Sequence, residues 1–134
     1  MPFPEMVDGC TIHADTNWPR PPKTVTVCPG TDFSLVDLGN TRAGRDYIRK
    51  GANLGGANFE ASTFIDAKMG GIHLEGANLS NSNLTGADLT SAYLYQADFS
   101  GTTLTHASLE LADVDEVNFE GAIFCNTKWI DGTY

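Results

Sequence analysis

The chain has 134 residues, a formal net charge of −9 and three cysteines, which suits one domain with one core and argues against direct binding of nucleic acid or an anionic membrane surface. No apolar run approaches a membrane span, and the start Met1-Pro2-Phe3-Pro4-Glu5 does not read as a signal peptide, so the expectation is a soluble protein, cytoplasmic or secreted with its signal removed. The charge is uneven: residues 1–51 hold six Lys or Arg against six Asp or Glu, and residues 52–134 hold two against eleven.

Residues 1–30 contain all six prolines, among them Pro19, Pro21 and Pro22. Proline fixes φ and removes ladder donors, so this density predicts an irregular, extended cap. Within it Lys23-Thr24-Val25-Thr26-Val27-Cys28 alternates as a short strand does, and is expected to pair with or cover the regular part that follows. Cys10 and Cys28 flank the Pro-rich loop. Either they are bridged, contributing about 3 kcal/mol in an oxidising compartment, or they are two buried thiols in a reducing one. Cys125 is left over in both cases.

Residues 31–51 read as a ragged first turn of a five-residue pattern. Phe33 and Leu38 are five apart, with Thr31 and Val36 two residues before each, and Ala43 and Ile48 continue the spacing. Asp46 then takes a small inward position, and the six residues from Ile48 to Leu54 imply one phase shift near Lys50 and Gly51. The alternative is a short helix over 41–50 with Ala43, Tyr47 and Ile48 on one face and Arg42, Arg45, Arg49 and Lys50 outside. Both readings leave a basic patch near the first coil, suited to a solvated cap that pairs with the acidic part.

From Ala52 to Tyr134 the chain repeats every five residues without a slip, in seventeen units such as Ala77-Asn78-Leu79-Ser80-Asn81 and Ala87-Asp88-Leu89-Thr90-Ser91. The third position is always large and apolar, and the first is small except at Ile72 and Val117. A period of five matches neither a helix at about 3.6 nor a strand at about 2. It demands a corner every five residues with one small and one large side chain turned inward. Four such sides close a coil of about twenty residues, and coils stacked at roughly 4.8 Å make a rod of about four coils, roughly 20 Å long. Residues twenty apart become vertical neighbours. Phe59, Leu79, Phe99 and Phe119 form one predicted interior column, and Leu54, Leu74, Leu94, Val114 and Tyr134 another.

These A(N/D)LxG units resemble the pentapeptide repeat family. The resemblance implies an all-β fold, a right-handed quadrilateral β-helix solenoid with an inner ladder of Leu or Phe, here of about four to five coils behind an irregular N-terminal cap. Three segments follow: 1–30 as cap, 31–51 as ragged coil or helix, and 52–134 as β-helix. Val7-Asp8-Gly9-Cys10-Thr11-Ile12 and Cys28-Pro29-Gly30-Thr31-Asp32-Phe33 resemble the cysteine-framed lead-in of some pentapeptide arrays, split here by an insertion containing Trp18. The family hosts unrelated roles, so the fold by itself does not give the function.

On the predicted coil, the richest outward face stacks His73, Tyr93 and Asp113 in one column and Glu75, Tyr95 and Asp115 in the next, with Gln96 and Glu116 beside them. Imidazole, phenol and carboxylate together transfer protons. A flat solenoid face lacks the concave, water-excluding pocket that catalysis uses, so no catalytic residue is assigned and these eight are candidates for binding a basic protein partner. His13, His73 and His106 are far apart, and Asp113, Asp115 and Glu116 lack the glycine-punctuated loop of a calcium site. Phosphate-loop, dinucleotide and nucleophile-elbow motifs are absent too, so neither metal nor cofactor is expected. Asn78-Leu79-Ser80 and Asn83-Leu84-Thr85 are glycosylation triplets that the repeat generates by itself. Another face exposes Ile65, Ile123 and Cys125 among threonines. Trp129, Ile130 and Tyr134 are expected either to plug the last coil or to meet a second copy across a two-fold axis, making a homodimer.

Three functions follow. The first is a non-catalytic structural or protein-interaction module, an acidic rod presented to a protein partner. The second, implied by the resemblance, is a DNA mimic that regulates a DNA-binding enzyme such as DNA gyrase, conferring fluoroquinolone resistance or toxin immunity. The third is an enzyme using His73, Tyr93 and Asp113.

Overall fold

The computed structural model describes residues 6–7, 9–11, 27–35 and 54–134. From 54 onward the backbone climbs in four-sided coils whose second-position residues pair in parallel every twenty residues. One side stacks Asn58, Asn78, Asp98 and Asn118; the next stacks Thr63, Asn83, Thr103 and Ile123; a third stacks Lys68, Asp88, Ser108 and Lys128; the fourth stacks His73, Tyr93 and Asp113.

One unit, 77–81, shows why five residues suffice for a side. The Ala77 amide closes the corner on the Leu74 carbonyl at 3.0 Å; the Asn78 amide reaches back one coil to Ala77's counterpart, Ala57, at 2.8 Å. The amides of Leu79 and Asn81 reach forward to the carbonyls of Asp98 and Ser100, both at 2.8 Å. The fifth amide, Ser80, has no backbone partner and donates to Asn78 Oδ1 at 2.9 Å. This is why Asn and Asp favour the second position: their side chains mimic a turn two residues on and satisfy an amide the ladder cannot reach. The same bond recurs from Glu60 to Asn58, from Thr85 to Asn83, from Thr90 to Asp88, from Ser100 to Asp98 and from Glu120 to Asn118.

At each corner from Gly56 to Asn126 the fifth residue has positive φ, as the third position of a type II turn requires. Non-glycine residues such as Ala61 and Leu111 accept this conformation, at a cost of roughly 1 kcal/mol each. Gly86 has a second reason to be glycine, because a Cβ there would collide with the Asp66 carboxylate one coil above.

The first and third positions fill the interior as the period predicts. Leu79, Leu84, Leu89, Leu94, Phe99 and Leu104 are fully buried, with Ala77, Ala87, Ala92 and Ala97 between them. Buried hydroxyls at the first position are satisfied by carbonyls: Ser82 donates to Phe59 at 2.9 Å, Thr102 to Phe99 at 2.8 Å and Thr127 to Leu104 at 2.7 Å.

At the N-terminal end the ladder starts earlier than the proline content suggests. Val27 pairs with Asn58 and Asp32 with Thr63, a step of 31 residues where the rest of the ladder steps by 20. Val27 and Cys28, the end of the stretch expected to pair with or cover the coil, do pair with it, the Cys28 amide donating to the Asn58 carbonyl at 2.8 Å. Phe33 packs flat on Phe64 at 5.0 Å and edge-on to Phe59 at 5.1 Å. A short antiparallel pair, β1 (Met6–Val7) and β2 (Cys10–Thr11), precedes it. Cys10 and Cys28 are buried and joined by a disulfide, with Cα atoms 5.7 Å apart, which ties β2 to the top of the ladder. Residues 36–51 of the ragged coil or helix expected over 31–51, with its phase shift and basic patch, lie outside the described residues, as does the Pro-rich loop.

At the other end the structure departs from the repeat. The Trp129 amide donates to the Thr133 carbonyl at 2.6 Å, and positive φ falls on Gly132 instead of Asp131. Asp131 Oδ1 accepts the Thr133 amide at 3.0 Å, so the last unit closes on itself and leaves the coil. The predicted column accordingly fails at its base: Leu54, Leu74 and Leu94 are buried, but Tyr134 is 85% exposed. Among the described residues no helix is long and apolar enough to cross a membrane.

Hydrogen bonds from Ser34 to Asp32 and from Thr133 to Asp131 hold both carboxyls below the usual range. A carboxylate depressed on folding adds stability above its unfolded pKa and loses it as pH falls through the folded value. In urea unfolding at neutral pH, Leu84→Ala is expected to cost about 2–5 kcal/mol, Asn83→Ala about 1 kcal/mol and Asn83→Asp less than about 0.5 kcal/mol. The parent protein is expected to lose stability below about pH 4. A costly Asn83→Asp at neutral pH would contradict the second-position account.

Candidate functional site

The fourth side of the coil carries the sequence-derived candidates on three successive rungs. His73 and Tyr93 lie one above the other with ring centroids 4.3 Å apart and planes 1° from parallel. His73 is not part of an open surface: it is 2% exposed, with Nδ1 3.5 Å from Glu75 Oε2. Glu75 Oε1 is buried and has no hydrogen-bond partner. Tyr93 is half-buried, whereas Tyr95, Gln96, Asp113, Asp115 and Glu116 are exposed. The face thus runs from a closed aromatic upper end to an open acidic lower end.

The rungs explain what this arrangement can do chemically. Strand spacing of about 4.8 Å places Asp113 two rungs, roughly 10 Å, from His73, with Tyr93 between them. His73 and Tyr93 stack, and Asp113 stands exposed one rung below Tyr93, whereas proton transfer requires groups within hydrogen-bond reach of one reacting atom. Tyr95, Gln96 and Glu116 do come together. Gln96 Nε2 donates to Glu116 Oε1 at 3.4 Å. A hydrogen bond from the Tyr95 phenol to Glu116, and then the charges of Glu116, Asp115 and Asp113, raise the phenol pKa above its ordinary value.

Two rungs of this face lack the second-position acceptor, as do Thr63, Lys68, Thr103, Ile123 and Lys128 on other sides, while Asp113 keeps it for the Asp115 amide at 3.1 Å. Tyr93 and His73 stand where an Asx acceptor would, and no side-chain bond reaches the amides of Glu75 and Tyr95. Among the described residues, this is the side on which two successive rungs place rings there.

A second feature lies at the base of the last coil. A cleft of about 470 Å³ opens among Phe119, Phe124, Asn126, Thr127, Trp129 and Tyr134. Phe119, Phe124 and Trp129 form a three-ring cluster with centroids 5.3–5.8 Å apart. Of the candidates for the end, Trp129 and Ile130 are half-buried and Tyr134 stands outside. Phe119, Phe124 and Asn126 escaped the sequence reading; the available signal was aromatic residues in three nearby third positions, Phe119, Phe124 and Trp129. Lys128 is engaged by Glu110 at 3.0 Å, which raises its pKa. No group of three His, Cys, Asp or Glu among the described residues is arranged to hold a metal ion.

Comparison with known proteins gives one family: pentapeptide repeats match residues 50–81 and 82–121 in eight copies. A pentapeptide repeat protein of the Arabidopsis thaliana thylakoid lumen is 33% identical, with a TM-score of 0.50 over 57% of this chain and 57% of that one. HetL, a pentapeptide repeat protein involved in heterocyst differentiation regulation in the cyanobacterium Nostoc, is 20% identical, with a TM-score of 0.38 over 80% of this chain and 50% of HetL. QnrB1, a plasmid-mediated fluoroquinolone resistance protein, is 19% identical, with a TM-score of 0.41 over 77% of this chain and 60% of QnrB1. The chain therefore spans between half and three-fifths of the length of each of these proteins. No protein of curated function matches it in sequence.

In Glu116→Gln, the Tyr95 phenol is expected to titrate at lower pH than in the parent, followed by tyrosine ring carbon shifts in NMR. An unchanged titration would show that Glu116 does not hold the phenol proton.

Proposed function

The chain belongs to the pentapeptide repeat family, the right-handed, four-sided β-helix, and from that premise we propose that it is a non-catalytic protein-interaction module that offers a rigid acidic rod to a basic protein surface. The contact face is that of Tyr93, Tyr95, Gln96, Asp113, Asp115 and Glu116, with His73 and Glu75 as its rigid upper support. The observation that carries this reading is the stack of the His73 and Tyr93 rings on successive rungs of one side, above the exposed Tyr95, Asp113, Asp115 and Glu116. Tyrosine beside carboxylates suits recognition of a basic partner.

The Cys10–Cys28 bridge supports residence in an oxidising compartment. The lumenal location of the 33%-identical plant protein is consistent with this.

A second reading, regulation of a DNA-binding enzyme by charge mimicry, is favoured by one observation. Asn and Asp serve the ladder equally at the second position, as Asn78 and Asp98 do, so the fold does not require the negative charge that residues 52–134 carry, eleven acids against two bases.

Partner proteins retained on the immobilised chain at low salt are expected to be lost with Tyr95→Ala, by about tenfold or more in affinity, while urea stability is unchanged. Retention unaffected by Tyr95→Ala and by Tyr93→Ala would remove this face from the interaction. Supercoiling by a bacterial DNA gyrase separates the two readings. Inhibition or drug protection that disappears when Asp113, Asp115 and Glu116 are changed to Lys supports mimicry, and the absence of any effect leaves the interaction module.

A further inference from the structure

The side of the coil that runs through 61–65, 81–85, 101–105 and 121–125 carries no charged side chain, whereas each of the other three sides holds acids. On three successive rungs its outward positions are Thr63 and Ile65, Asn83 and Thr85, and Thr103 and Thr105. All six are half-buried and none projects from the side. Thr63 pairs with Asn83 and Asn83 with Thr103 in parallel register. The outward positions therefore form a grid, with rungs about 4.8 Å apart and the two columns roughly 6.7 Å apart along each rung. Five of the six residues are β-branched, which restricts χ1, and Thr85 is held further by the bond from its hydroxyl to Asn83 Oδ1 at 2.6 Å. At Ser80, Ser100 and Thr133 on other sides the hydroxyl likewise turns back to the second-position side chain. The hydroxyls of Thr63, Thr103 and Thr105 have no hydrogen-bond partner among the described residues.

We propose that this side is an ice-binding surface, its ligand being the ordered face of a water crystal. Three observations specify that occupant. A stiff grid that repeats in two directions suits a ligand that is itself periodic in both, and strand spacing with its two-residue partner lies close to the repeats of water oxygens in ice. The surface mixes methyl groups, which pack into the hollows of such a lattice, with unpartnered hydroxyls, which bond to its waters. Charge is absent from this side of a chain with a net charge of −9, and a charged group would hold a hydration shell of its own against the lattice. A second copy is a poorer fit: at strand spacings the side offers roughly 200 Å², against the about 800 Å² per partner that a stable interface buries. This side lies opposite the Tyr93 and Tyr95 face, so either can fail without the other.

The test seeds a solution of the full chain with a single ice crystal and reads the gap between melting and freezing, together with enrichment of the protein in slowly grown ice. The parent is expected to open a gap that widens with concentration and to enter the ice. Thr103→Lys, at the centre of the grid, and Thr63→Lys are expected to reduce both signals to those of buffer, with urea unfolding confirming the fold. Thr103→Ser, which removes only a methyl group, should diminish them and keeps the proposal testable should a lysine unfold the coil. Glu60→Lys and Tyr95→Ala, on other sides, should leave them unchanged. Exclusion of the parent from ice, full activity in folded Thr103→Lys or in Thr103→Ser, or a dimer in sedimentation that Thr103→Lys dissociates would overturn the proposal, the last by assigning this side to a second copy.

Discussion

The structure depends on how the five amides of each unit are satisfied. In the units with Asn or Asp second, three bond to neighbouring coils, one closes the corner, and one is taken by the side chain two residues before it, as 77–81 illustrates. A buried backbone group left unpaired costs about as much as the bond it lacks, so this distribution constrains geometry more tightly than the apolar interior does. Leu, Phe and Met all appear in the third position and all fit. By contrast, where the second position is Asn or Asp, as at Asn58, Asn78, Asn83, Asp88, Asp98, Asp113 and Asn118, its side chain takes the amide two residues on.

That constraint divides the surface in two. Where the second residue is Asn58, Asn78 or Asp98, it serves the ladder and its identity reports on the fold. At His73 and Tyr93 the second residue carries a ring instead. Their rings stack at 4.3 Å, which preserves order between rungs by packing after the hydrogen-bonding device has been surrendered. A side of the coil can therefore acquire a recognition surface without disturbing the interior, because the inward and outward positions of each unit are chemically independent.

The coil's two ends are unlike. At the top, half a coil at 27–35 and the disulfide between Cys10 and Cys28 rest on the aromatic cluster of Phe33, Phe59 and Phe64. At the base, the rings of Phe119, Phe124 and Trp129 pack on one another.

The sequence by itself determined the period, the four-sided coil and the interior columns, because Leu79, Leu84, Leu89 and their counterparts repeat a local rule that needs no distant residue to state it. The burial of the first and third positions followed for the same reason. Only the tertiary structure decided the rest. The step of 31 residues from Val27 to Asn58 is a long-range pairing that no local pattern encodes. Burial of His73 depends on what packs around it, and Tyr134 leaves its column because Asp131 and Gly132 turn the chain one residue late. Repetition makes the body of this chain legible, and its exceptions become legible only when distant residues are brought together.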